Sequence, residues 1–100
     1  MVDLRSETHR RIRGQILCLL KEYHPNFIDV ITLQGVLDTY GYPVARDTLN
    51  SYLAYLEEID AVQLREKAFG IMKTKQVAIK NRGLKIIDGY ESDSGVNVES

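Results

Sequence analysis

Residues 44–62, VARDTLNSYLAYLEEIDAV, change their hydrophobic period partway along, and that change limits what the whole chain can become. Leu49, Tyr52, Leu53 and Leu56 sit at i, i+3, i+4 and i+7, which is one face of a helix. Ala45 and Ile59 extend the stripe by a turn at each end, and Asp47, Asn50, Ser51, Tyr55 and Glu58 occupy the opposite face. After Asp60 the period drops to two, with Val62 and Leu64 alternating against Gln63 and Arg65. Before the helix, Gly41-Tyr42-Pro43 closes an earlier apolar-periodic segment, because Pro43 keeps Tyr42 out of the helical region. The order is helix, tight turn, helix, strand.

The rest of the chain supplies the partners for that centre. Ile12, Ile16, Leu19, Leu20 and Tyr23 predict a first helix over residues 5–24, ended by His24-Pro25. Leu17 and Cys18 lie off its stripe, so this helix packs on two sides or meets another chain. Arg10, Arg11 and Arg13 are expected to face outward. Phe27, Ile28 and Val30 suggest a short strand within residues 26–30. A second helix is expected over 33–40, capped by Thr32, with Leu33, Val36, Leu37 and Tyr40 inward and Gly35 close to the third helix at 45–59. Strands follow at 62–67 and 75–80, with 68–74 as their connecting tip or as a short helical turn. Asn81 caps a fourth helix over 82–88 and Gly89 stops it. Residues 1–90 thus make one domain, and 91–100, ESDSGVNVES, read as a disordered acidic tail.

The net charge of −1 over 100 residues hides an uneven distribution. Residues 61–87 carry seven bases against Glu66 alone, net +6, whereas 88–100 carry four acids and no base, net −4. Charged hairpins also keep edge strands soluble, so the basic segment is not by itself a binding site. Apolar content of 44% is that of a globular domain. The single cysteine, Cys18, forms no intrachain disulfide and favours a reducing compartment. MVDLRSETHRR lacks the apolar core of a signal peptide, and Ile16 to Leu20 is too short an apolar run to span a bilayer. A cytoplasmic protein is expected.

Catalytic chemistry has little to stand on. His9 and His24 lie at opposite ends of one helix, about 22 Å apart, too far to share a metal. Glu57 and Glu58 are adjacent and point about 100 degrees apart, so they form no acid pair. No Cys-x-x-Cys, His-Glu-x-x-His or phosphate-cradling glycine loop is present. Neither enzyme activity nor a cofactor or metal is expected.

The helix-turn-helix pattern carries a resemblance. VARDTLNSYLAYLEEIDAV resembles the recognition-helix segment of winged helix-turn-helix proteins, and is most similar to small phage- and prophage-encoded members. Ile79-Lys80-Asn81-Arg82-Gly83 is similar to the step by which many of them leave the wing. The likeness covers roughly residues 10 to 90. Two departures stand out: Ala45 takes the place of a capping Ser, and Asp60 that of a Gly in the left-handed conformation.

The resemblance implies an α+β winged helix-turn-helix, with a three-helix core, a two- to three-stranded wing sheet and a short C-terminal helix. It implies a transcriptional regulator that binds double-stranded DNA in a sequence-specific manner. Arg46, Asp47, Thr48, Asn50 and Ser51 would face the major groove. Lys67, Lys73, Lys75 and Arg82 would meet phosphates or the minor groove, with Arg10 and Arg13 as helpers. A homodimer built on the first helix, the fourth helix or the wing matches such binding. The alternative is a protein-binding winged helix, an assembly adaptor contacting its partner through Ala54, Tyr55, Phe69, Ile71 and Met72.

Overall fold

The computed structural model describes residues 4–98. Their order is α1 (Leu4–Tyr23), β1 (Ile28–Asp29), α2 (Val30–Thr39), α3 (Arg46–Glu58), β2 (Val62–Phe69), β3 (Met72–Ile79) and α4 (Asn81–Ile87). The strands form one antiparallel sheet in the order β1-β3-β2. This is a winged helix-turn-helix: α2 and α3 make the motif, and β2 and β3 make the wing. Its core joins Ile16, Leu20, Leu33, Leu37, Leu49, Leu53, Leu56 and Val77, all buried.

α2, α3 and α4 end the same way, with Gly41, Asp60 and Gly89 at positive φ. At the end of α2 the Gly41 N–H donates to the Asp38 carbonyl at 3.0 Å and the Tyr42 N–H to the Leu37 carbonyl at 2.8 Å. This Schellman closure needs a left-handed residue just past the helix, and Gly41 supplies it at φ +88°. The end of α3 repeats the pattern, with Asp60 N–H on Glu57 and Ala61 N–H on Leu56, but the left-handed residue is Asp60 at φ 65°. A side chain at that φ is strained, and Asp is among the few that adopt it. Its carboxylate pairs with Lys80, where β3 hands over to α4. The same joint is drawn tight by the Lys80 N–H on the Ala61 carbonyl at 2.9 Å and by Arg82 Nη1 on the Ile59 carbonyl at 2.5 Å. Gly83 lies against the Ala61 carbonyl and the Ile79 side chain, where a Cβ has no room.

The hairpin is longer than the sequence suggests. β2 and β3 pair from Val62↔Ile79 out to Phe69↔Met72, so only Gly70 and Ile71 form the turn. Gly70 has φ +60° and precedes a residue without positive φ, the arrangement of a two-residue type II′ turn. The 68–74 segment is therefore strand and turn, not a long loop or a helical turn. From the last core pair, Leu64↔Val77, the hairpin runs five more residues, about 17 Å, into solvent.

Other expectations change for physical reasons. α2 begins at Val30, not after Thr32, because β1 passes directly into it and Val30 joins Leu33 and Leu37 on the buried face. Asp29 stands at the cap but makes no side-chain capping bond; its Oδ1 accepts from Gln76 Nε2 at 3.1 Å instead. Tyr40 is exposed, and a Cβ on Gly35 would meet nothing within 4 Å, so Gly35 gives no close approach to α3. Leu17 is buried within the chain, the two-sided packing of α1, and Ile86 is buried as well. That removes most of the surplus apolar surface on which a homodimer had been expected.

The C-terminal segment also departs from expectation. Residues 91–98 are not a free tail: they run back across α3 and α1. The Tyr55 hydroxyl donates to Asp93 Oδ2 at 2.5 Å, Arg13 Nε donates to the Gly95 carbonyl at 2.7 Å, and the Asn97 N–H donates to the Arg10 carbonyl at 3.1 Å. Val96 is buried in the core, and Gly14 of α1 leaves the space that the Asn97 carbonyl takes. The last two residues of the expected tail, 99–100, lie outside the described residues.

Candidate nucleic-acid interface

The face that α3 presents follows from how its start is held. Its cap, Ala45, is extended at φ −64°, ψ 152° and has no side chain to bond the first-turn N–H groups. Gln34 of α2 braces this start in another way, without reaching those N–H groups: its Nε2 donates to the Val44 carbonyl at 2.8 Å, and its Oε1 accepts from Arg46 Nε and Nη2 at 2.8 and 2.6 Å. The Arg46 guanidinium is thereby fixed at the exposed start of α3.

The wing brings charge to the same place through strand parity. Residues opposite each other in an antiparallel pair share a face, so Lys75 and Lys73 of β3 lie on the face of Val77 and Ile79, beyond the end of the core. Lys73, Thr74 and Lys75 line one cleft with Arg46, Asn50, Asp29, Val30 and Ile31. Asn50 is half-buried there, and its Oδ1 is buried without a hydrogen-bond partner. The cleft thus offers a guanidinium, an open amide and two ammonium groups. That set suits base edges flanked by phosphates.

The remaining expected residues are distributed elsewhere. Asp47, Thr48 and Ser51 sit on the other flank of α3, lining a second hollow with His9, Arg13 and Tyr52. There the Ser51 hydroxyl donates back to the Asp47 carbonyl at 3.1 Å, and His9 Nδ1 shares a hydrogen bond with the Tyr52 hydroxyl. Burial raises the Tyr52 phenol above its ordinary pKa, against the opposing charge of Arg13. Arg13 is not a free outward base: its guanidinium lies over the Tyr55 ring at 4.5 Å. Arg10 is held by Glu7 at 2.6 Å. Lys67 is on the outer face of the wing, its Nζ 5.2 Å from the Phe69 ring centre. Arg82 is at the far end of α3, about 18 Å of helix from Arg46, and binds the Ile59 carbonyl and Glu91. It belongs to the joint described above.

The sequence did not single out Gln34, Thr74 or His9 for this surface. Gln34 carries no local signal, since its partner is twelve residues away across the turn. His9 stands out in the sequence only as a possible metal ligand. Tyr55, expected on the outer face, is covered by residues 93–95, with its hydroxyl on Asp93 and Gly95 against its ring. Among the described residues no group of three or more His, Cys, Asp or Glu is placed to hold a metal, and no helix is long and apolar enough to cross a membrane.

No family model matches the chain, and no curated protein matches it. Solved structures do. A PadR family transcriptional regulator from Eggerthella lenta is similar with a TM-score of 0.64 at 17% identity, over 79% of this chain and 71% of its own. A PadR-like transcription factor from Bacteroides fragilis is similar with the same TM-score at 15% identity, over 79% of each chain. A protein from Thermoplasma acidophilum is similar with a TM-score of 0.64 at 19% identity, over 80% of each. At such identities the likeness is one of fold, and the fold is the winged helix.

Proposed function

We propose that this protein binds double-stranded DNA and regulates transcription, with α3 in the major groove and the wing along the backbone. The observation that carries the proposal is the convergence of Arg46, Asn50, Lys73 and Lys75 on one cleft. Arg46 suits guanine O6 and N7, Asn50 suits adenine N6 and N7, and the lysines suit phosphates on either side. Two structures with the same fold are named as transcription regulators, which supports the reading. Two copies of the chain would match a two-fold site. The outer side of α4, with half-buried Leu84 beside exposed Tyr90, is the surface we assign to that contact.

Gel-shift titration of a duplex selected from a random pool, at several salt concentrations, tests it. About three phosphates neutralised per subunit give a slope of log affinity on log salt near −3. Lys73→Ala and Lys75→Ala each weaken every sequence alike and reduce the slope by about one. Arg46→Ala and Asn50→Ala cost about 1–3 kcal/mol on the selected site and little on random DNA. Absence of any retained duplex at about 50 mM salt overturns the proposal. Capture of a protein that tolerates both lysine substitutions and fails with Met72→Ala would favour the adaptor reading.

A further inference from the structure

Arg46 is exposed, yet one edge of its guanidinium is already occupied in the free protein. A guanidinium carries five N–H groups in a rigid plane. Two of those on Arg46, the Nε–H and one on Nη2, donate to the single Oε1 of Gln34 at 2.8 and 2.6 Å. Gln34 is held in turn. It is half-buried on α2, and its Nε2 donates to the Val44 carbonyl at 2.8 Å, so its amide oxygen is the end that faces Arg46. The brace crosses the turn of the helix-turn-helix and reaches the first residue of α3.

Two bonds to one oxygen set both the position and the plane of the guanidinium. The fork left pointing away from Gln34 is one N–H on Nη1 beside one on Nη2. That fork matches guanine, which offers O6 and N7 side by side as acceptors, and opposes adenine, whose N6 amino group is a donor. An arginine without the brace has other choices. Asp29 lines the same cleft and offers a carboxylate, and Lys73 and Lys75 there draw phosphates within its reach. A guanidinium free to turn toward any of these carries charge but little sequence information.

The chemistry of the holder fits this task. An amide oxygen orients the guanidinium and leaves its charge unneutralised, whereas a carboxylate would pair with it and repel phosphate. An amide also donates, as the bond to Val44 requires; an ionised carboxylate only accepts.

We propose that Gln34, which need not touch DNA itself, is a specificity-determining positioning residue: by holding the Nε edge of Arg46 it commits the free fork to guanine. The inference rests on the DNA-binding reading and deepens it, since it makes the base preference of α3 depend on a side chain of α2.

The test uses the full chain and the selected duplex at fixed salt, with each guanine replaced in turn by 7-deazaguanine, which carries C–H in place of N7. Wild-type protein loses affinity about tenfold at one guanine, and Arg46→Ala binds that substituted duplex and its parent alike. Gln34→Met keeps the length of the side chain and removes both polar ends. It lowers the discrimination at that guanine to about twofold and leaves the salt slope unchanged. Gln34→Glu keeps an acceptor for Arg46 and loses the bond to Val44. It retains the discrimination while weakening both duplexes through its charge. Thermal melts of the two variants establish that each is folded. If Gln34→Met discriminates as wild type does, the positioning role is wrong and the DNA reading stands. If Gln34→Met and Gln34→Glu lose discrimination alike, Gln34 acts only by bracing the turn at Val44, and the inference falls. If wild-type protein binds the duplex but no substituted guanine matters, Arg46 does not read guanine and the inference falls with general DNA binding intact. If the wild-type protein retains no duplex, both fall.

Discussion

The Tyr55 hydroxyl donates a hydrogen bond to Asp93 Oδ2 at 2.5 Å, joining the outer face of α3 to a residue thirty-eight positions later. The Gly95 N–H reaches the same carboxylate oxygen at 2.9 Å, and the Gly95 carbonyl accepts from Arg13. A polar C-terminal segment is thereby made part of the fold.

Removal of residues 91–100 is expected to destabilise the domain by on the order of 3 kcal/mol. Burial of Val96 contributes about 1.5–2 kcal/mol, and the bonds to Arg13 and Tyr55 supply the rest. Urea denaturation of the full and shortened chains measures the difference. A midpoint unchanged by the truncation would show that the segment is not anchored in solution.

Asp93 adds a pH signature. Burial pushes its carboxyl up, but the hydrogen bonds from Tyr55 and the Gly95 N–H and the charges of Arg82 and Arg13 outweigh this and hold it below its ordinary value of 3.8. A depressed carboxylate stabilises the fold fully above that ordinary value, and its contribution is lost as pH falls through the folded value. The stability advantage of the wild type over Asp93→Asn is therefore constant near neutral pH and shrinks below about pH 4. A gap that widened on acidification would contradict the assignment.

Leu53 is fully buried at the middle of α3. Leu53→Ala should cost about 2–5 kcal/mol through lost transfer energy and the cavity left behind. Thermal melts showing a loss below about 1 kcal/mol would mean that the packing of α3 is not as described.

Two glycines should respond in opposite directions. Gly35 faces open space within α2, so Gly35→Ala should raise stability by about 0.5–1 kcal/mol. Gly83→Ala drives a methyl group into the Ala61 carbonyl and Ile79, so it should lower stability by more than about 1 kcal/mol. Chemical denaturation of both variants provides the comparison, and equal effects would dissolve the distinction.

Arg82 and Lys73 separate in the same manner. Arg82→Ala leaves the Ile59 carbonyl and Glu91 without their partner, so it should lower the melting temperature while leaving the salt slope of DNA binding unchanged. Lys73→Ala should do the reverse. A salt slope reduced by Arg82→Ala would bring α4 into the interface.

What the sequence conveyed was whatever depends on periodicity. The helix expected at 45–59 is observed at Arg46–Glu58 and the first at Leu4–Tyr23, because an apolar stripe repeats over several turns in each. The left-handed residue at Asp60 was legible only through the resemblance, where Asp60 stands in the place of a left-handed Gly. What depends on single long-range contacts was not. Nothing local in ESDSGVNVES announces that Asp93 meets Tyr55 or that Val96 enters the core. Arg82 looked like one more base of a basic hairpin, because composition does not say which carbonyl a guanidinium will find. At the wing tip, Gly70 and its apolar neighbours mask the pairing of Phe69 with Met72, so the sequence suggests a loop there. Within the cleft, Arg46 and Asn50 were visible on the helix, but their meeting with Lys73 and Lys75 depended on the register of the hairpin.

That register limits how the wing can vary. Lys73 and Lys75 face the cleft because they stand four and two positions before Val77, an even offset in each case. Deleting one residue on each side of the turn would keep the strands paired but exchange the face of every side chain it shifts, sending bases outward and apolar residues toward α3. Lengthening or shortening by two residues per strand would preserve each orientation and move the tip by about 7 Å. Across related chains, wing length should therefore change in steps of two per strand, so that the arm grows or shrinks like a telescoping rule whose marks always face the same side.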